Sequence, residues 1–166
     1  KMEYLKPISE NLVLLTSLDG FQESHELIRG AGTYQKTIDS IKLVTSMIKS
    51  DEFKGKQSVN CVISESMVGK LYEFCEYMES LEIDTLYICL PWYISEETAN
   101  KMDQFFDIKF AGILERDKNK KASWHDFKYH LDEKCVNDLV EDLKKMTSAE
   151  MTDVILLSEE SPAYKA

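Results

Sequence analysis

Residues 11–20 read Asn-Leu-Val-Leu-Leu-Thr-Ser-Leu-Asp-Gly. Asn11–Leu18 is a short apolar run rich in branched side chains. That is the pattern of a strand buried on both faces of a parallel sheet. Asp19-Gly20 ends it with turn chemistry. A polar loop follows to Gly32, and Thr33 is a candidate helix cap. Tyr34, Ile38, Ile41, Val44, Thr45 and Ile48 then share one face at three- and four-residue spacing, which predicts a helix ending near Lys49.

The same strand-then-helix unit recurs outward from this stretch. Ser58–Ile63 is a second strand. Ser64 or Ser66 can cap the next helix, whose core face is Met67, Leu71, Phe74, Cys75, Met78 and Leu81. Ile83–Leu90 is a third strand, stopped by Pro91. Ser95 caps a short helix with Glu96 and Glu97 in its first turn, where the helix dipole favours anions. Ile108–Leu114 reads as a fourth strand, Ser123 as the start of a long helix to Met146, and Val154–Leu157 as a fifth strand. The alternation predicts an α/β fold of βα units with a parallel sheet and right-handed crossovers. An open doubly wound sheet and an arc of a closed barrel both fit it.

The 166 residues suit a single α/β domain. With 43% hydrophobic and 30% charged residues, the composition is that of a globular protein. No apolar run approaches the roughly 18 residues that cross a bilayer, so no membrane partner is expected. No secretory signal is visible at Lys1–Glu10. The formal charge is −10, from 30 acidic and 20 basic residues. An acidic chain repels a phosphate backbone, so no nucleic-acid partner is expected. Cys61, Cys75, Cys89 and Cys135 form no short-spaced pair and fall in apolar segments. They read as buried free thiols in a reducing, cytoplasmic setting. The start at Lys1 suggests a tag remnant or an excised piece.

Ligands of parallel βα folds sit at the carboxyl ends of the strands. That singles out Thr16–Gly20, Ile63–Ser66, Cys89–Tyr93 and Leu114–Arg116. The richest of these tips offers Ser17 and Asp19, followed by His25 and Arg29. Arg29 suits a carboxylate or phosphate, and Ser17 and Asp19 suit sugar hydroxyls or an amine. The plainer alternative is that Asp19-Gly20 is a turn and Arg29 pairs with Asp19 or Glu23. Gly30-x-Gly32 lacks the third glycine of a dinucleotide loop and the lysine of a P-loop. His25, His125 and His130 are scattered, so no metal site is expected. Asp19, Glu65 and Glu115 each stand at a strand tip, where carboxylates can serve acid–base chemistry. Trp92-Tyr93 can stack on a base or a peptide, or simply pack the rim.

One block carries a family resemblance. Ser17-Leu18-Asp19-Gly20, then His25-Glu26-x-x-Arg29-Gly30-x-Gly32-Thr33-Tyr34-x-Lys36-Thr37-Ile38-x-x-Ile41, resembles the fourth strand and following helix of radical S-adenosylmethionine (SAM) enzymes with a SPASM or twitch extension. Anaerobic sulfatase-maturating enzymes and peptide-modifying maturases are of this kind. Val59–Ser64 resembles the fifth strand of that family and Ile83–Ile88 the sixth. Phe21 stands where the family has proline, and Met67 where it commonly has asparagine. The C-x-x-x-C-x-x-C loop that holds the iron–sulfur cluster is absent from these residues.

The resemblance implies a partial TIM-like barrel, a fragment of a larger enzyme. Its cofactors would be SAM and a [4Fe–4S] cluster whose ligands this chain lacks. Ser17 would touch the SAM ribose or carboxylate, and Arg29 its carboxylate. Asn60, Ile63 and Leu90 would flank the nucleoside. Asp19, the only catalytic candidate, would face the substrate or order the site. The implied activity is hydrogen-atom abstraction from a peptide or protein substrate, with no activity expected of the chain alone. The second expectation is a stand-alone, non-catalytic α/β binding or interaction domain. Exposed sheet edges also make self-association an expected property.

Overall fold

The computed structural model describes residues 2–110, 113, 120–148 and 154–157. The chain divides into two compact units, one of Lys1–Leu90 with Asp132–Ala166 and one of Pro91–Leu131.

The larger unit is an α/β layer. Strand β1 (Val13–Ser17) is followed by helices α1 (Gln22–Arg29) and α2 (Thr33–Lys49). Strand β2 (Lys56–Val62), helix α3 (Leu71–Ser80) and strand β3 (Thr85–Cys89) come next. In the smaller unit lies α4 (Glu96–Phe110). The chain then returns to the larger unit through α5 (Val136–Ser148) and β4 (Val154–Leu157). Strands β1, β2 and β3 pair in parallel, with Ser17 opposite Asn60 and Val59 opposite Leu86. β4 extends the sheet in parallel along β3, in the order β1-β2-β3-β4.

This order is sequential, so each crossover steps the same way along the sheet. Right-handed connections then put the helices of the larger unit on one face. The burial pattern agrees. Gln57, Val59, Cys61, Leu86 and Ile88 share one face by strand alternation and are each at most 5% exposed. Ile38 and Ile41 of α2, and Leu71, Phe74, Cys75 and Met78 of α3, complete that core. On the opposite face of β1, Val13 and Leu15 are 57% and 60% exposed. The first strand is therefore not buried on both faces, as its apolar run suggests. An unbroken apolar run reports β-propensity and does not say whether a second layer covers it.

The helices differ from the sequence reading in five places. Helix α3 begins at Leu71 with Lys70, not Ser64 or Ser66, at its cap position, and Met67 lies in a short 3-10 turn before it. Gln22–Arg29, read as a polar loop, is helix α1. Its apolar side chains Leu27 and Ile28 are mostly exposed, so no core-facing stripe betrays it. Thr33 is the first residue of α2 and not its cap. Gly32 holds the cap position in the left-handed region, φ 75°, and the Thr33 hydroxyl donates to Gly30 O at 2.6 Å.

The expected fourth strand is also corrected. Ile108, Lys109 and Phe110 are the last turn of α4, and Ile113 lies in a turn. Residues 111, 112 and 114–119, with the Leu114–Arg116 tip, Glu115 and Lys118, lie outside the described residues. Helix α4 starts as expected, because Ser95 Oγ accepts the Thr98 N–H at 3.1 Å. No breaker follows before Gly112, so the helix runs on through a segment whose short apolar run fits either structure. Finally, the long helix expected from Ser123 is interrupted. Short 3-10 turns occupy Ser123–Asp126 and Glu133–Cys135, and α5 begins only at Val136.

Candidate functional site

The carboxyl ends of β1, β2 and β3 gather most of the residues singled out above. Chain continuity carries β1 into the loop: Leu18 N–H donates to Asn60 O at 2.9 Å, as if the ladder ran one residue further. Gly20 then needs a positive φ of 96°, which an L side chain rarely adopts. Phe21, at the cap position of α1, packs its ring edge-on against Phe74 at 5.5 Å.

Asp19 is 1% exposed, and both of its carboxylate oxygens are used. Oδ1 accepts the Val62 N–H at 3.0 Å, and Oδ2 accepts Arg29 Nε–H at 2.5 Å. The plainer alternative for this pair is therefore realised: Asp19 faces Arg29 and the end of β2. The Asp19 backbone N–H donates to His25 Nδ1 at 3.1 Å. His25 is 1% exposed. Burial is the largest influence on it and holds its pKa below the ordinary 6.5, with Asp19 opposing and Arg29 assisting. A neutral ring that accepts at Nδ1 carries its proton on Nε2. Nε2 has no hydrogen-bond partner among the described residues, and the ring meets Tyr34 edge-on at 6.0 Å.

Arg29 ends α1 with its side chain 40% exposed. Ser17 and Asn60 are direct register partners, so their side chains lie on the same face, the one that carries Val13 and Leu15. Cys89, also on that face, donates its thiol to Asn60 Oδ1 at 3.1 Å. Ser17, Asn60 and Cys89 thus form a polar row at the carboxyl end of the sheet. Ile63 and Leu90 do not join it in the same way. Ile63 is 2% exposed, inside the core, whereas Leu90 is 47% exposed just beyond β3.

Several features had no clear sequence signal. Ser66 Oγ donates to Ser24 Oγ at 2.7 Å and lies 3.0 Å from Ser64 Oγ, a hydroxyl chain between α1 and the end of β2. Glu65 Oε1 accepts the Asp132 N–H at 3.0 Å, tying the β2 tip to the approach to α5. In the smaller unit, His125 lies in the 3-10 turn Ser123–Asp126. It is 5% exposed, with Nε2 2.9 Å from Asp103 Oδ2. Asp103 Oδ1 also accepts the Trp124 indole N–H at 3.0 Å. Trp92 and Tyr93 pack edge-on against Phe127 and His130.

The four cysteines are free thiols. Cys61 and Cys89 lie on adjacent strands but on opposite faces, since Cys61 pairs with Ile88 and Cys89 with Val62. Burial pushes the Cys61 thiol well up and the Cys75 thiol up to about 12. Thiols held in that form are poor metal ligands. Among the described residues no three metal-ligating side chains gather, and no helix is long and apolar enough to cross a membrane. Comparison with protein-family models, with curated proteins and with solved structures gives no match.

Proposed function

We propose that this chain is a SAM-facing arc of a radical SAM βα barrel. The observation that carries the reading is the placement of the resembling block. Its Ser17 stands beside Asn60 on the open sheet face, at the end of the sheet where βα barrels bind ligands. Its Arg29 is fastened to the same loop through Asp19. The sequential, one-sided sheet is also what a barrel arc requires, because a closed barrel keeps all its helices outside.

These residues suit SAM in kind. Arg29 offers guanidinium N–H donors to a carboxylate, while Ser17 and Asn60 offer a hydroxyl and an amide to a ribose or base. The resemblance implies that SAM held here would be the precursor of a radical, formed with one electron from a [4Fe–4S] cluster, that would remove a hydrogen atom from a peptide or protein substrate. This chain's part is to bind and orient it and to exclude water. The cysteines do not suit an iron–sulfur cluster: Cys61 and Cys89 lie on opposite sheet faces, Cys75 on α3 and Cys135 in the short 3-10 turn before α5.

Titration of the chain with SAM by calorimetry tests the reading. Arg29→Ala removes a charge-assisted contact and is expected to weaken SAM about tenfold or more. Ser17→Ala is expected to weaken it several-fold, and unchanged affinity in both variants would refute the assignment. The exposed Val13 and Leu15 favour a second reading, a non-catalytic domain that covers this face with a partner. It is selected if SAM does not bind while the chain associates through that face.

A further inference from the structure

We infer that Asp19 is a positioning residue for Arg29, holding the guanidinium by its Nε–H so that its outer N–H groups meet a ligand carboxylate. The inference rests on the SAM reading above and, of the two roles expected of Asp19, specifies how it orders the site.

The argument starts from how an arginine shares its donors. A guanidinium has five N–H groups in a fixed plane, and its end-on fork matches a carboxylate with two parallel bonds. A carboxylate can engage that fork or the Nε–H beside it. Here the bond between the two side chains is at Nε, and no other bond of Arg29 occurs among the described residues. The four Nη–H groups remain for a ligand on a side chain that is 40% exposed.

The other end of the link is rigid. The Asp19 carboxylate is 1% exposed and its second oxygen accepts the Val62 N–H at 3.0 Å. The Asp19 backbone N–H is fixed on His25 Nδ1. A bond to Nε sets the plane of the guanidinium, since the planar group then turns only with its carboxylate. Arg29 is thereby referenced to Val62 at the carboxyl end of β2, and not to the free rotamers of a helix-end side chain.

Two opposing effects make the test decisive. If Asp19 positions Arg29, removing its charge frees the guanidinium and weakens carboxylate binding. If it only neutralises Arg29, removing its charge strengthens the binding of an anion. Affinities of SAM and of 5′-methylthioadenosine, which lacks the amino-carboxylate end, are measured for the wild-type chain, Asp19→Asn, Arg29→Lys and the double variant.

For SAM, each single variant is expected to lose about tenfold and the double variant no more than either, since both remove the same aligned contact. For methylthioadenosine, all four affinities are expected to agree within about twofold. Unchanged or raised SAM affinity in Asp19→Asn overturns the inference. So do losses that multiply in the double variant, or equal losses for both ligands, which mark general damage to the loop. Should Asp19→Asn not fold, the Arg29 Nε–H resonance of the wild-type chain decides. It must stay protected from exchange when SAM is added, and its release overturns the inference. If the wild-type chain binds neither ligand, the SAM reading itself fails, an outcome distinct from all of these.

Discussion

Asp142 gives the sharpest test of how the larger unit is held together. It lies on α5 yet is 1% exposed, because its carboxylate reaches the start of α3. Oδ2 accepts the Gly69 N–H at 2.6 Å and stands 3.5 Å from the Leu71 N–H. The first N–H groups of any helix lack partners within it, and α3 has no side-chain cap of its own at Lys70. Asp142 therefore caps α3 from another helix. A hydrogen bond to a charged group contributes about 1.5–3 kcal/mol, and a partly buried charge at a helix N-terminus up to about 2. The two overlap, so Asp142→Ala is expected to destabilise the chain by about 2–4 kcal/mol. Asp142→Asn keeps an acceptor without the charge and should cost about half of that. Urea unfolding followed by circular dichroism reads the difference as a fall in midpoint of about 1–2 M for the alanine variant. Lys144→Ala, which breaks only the exposed pair with Glu141, should leave the midpoint where it was. A midpoint for Asp142→Ala within error of the Lys144→Ala control would refute the capping argument.

Two further outcomes follow from buried groups. His25 is held neutral in the folded chain by burial, with its pKa below the ordinary 6.5. As pH falls below that value the unfolded chain binds a proton that the folded chain resists. Its contribution to stability is therefore complete above about pH 6.5 and declines by up to about 1.4 kcal/mol per unit on acidification. Unfolding free energies measured from pH 7 to 5 should show this slope, and His25→Gln should flatten it. Gly55 admits no side chain, because an added Cβ would lie 2.5 Å from both Leu12 O and Ser9 O. Those are backbone atoms that cannot swing aside, so Gly55→Ala is expected to cost about 1–3 kcal/mol, read by the same urea assay.

What was legible in the sequence was whatever a period or a cap records. The core face of α3 was readable from Leu71, Phe74, Cys75 and Met78, and the start of α4 from Ser95 with its two glutamates. Strands β1, β2 and β3 were readable from branched apolar runs between turn residues. Ile108–Phe110 was misread because Ile108 and Phe110, two apart around Lys109, fit the alternation of a strand as well as the end of a helix. Helix α1 was missed because its only buried residues are Ser24 and His25, which are polar and so leave no apolar stripe. At the site, the pairing of Arg29 with Asp19 was among the readings because the two lie ten residues apart around a turn. The bonds from Val62 and from Asp142 cross 43 and 73 residues, and no local pattern encodes such a distance.

The open face of the sheet links the two functional readings. Parallel sheets are normally covered on both faces, and full burial of a valine or leucine contributes about 1.5–3 kcal/mol. Val13 and Leu15 keep over half of their surface exposed, so covering them is favourable by a few kcal/mol. In a barrel arc, other strands provide that cover, and the polar row of Ser17, Asn60 and Cys89 then lines the mouth of an enclosed interior. In a binding domain, a partner provides it, and the same row becomes the polar rim of an interface. The sheet face alone suits both. The two readings meet at Arg29, whose Nε is engaged by Asp19. A guanidinium that is already aligned gains affinity for a carboxylate on a small ligand or on a partner surface alike, so binding of free SAM separates the two.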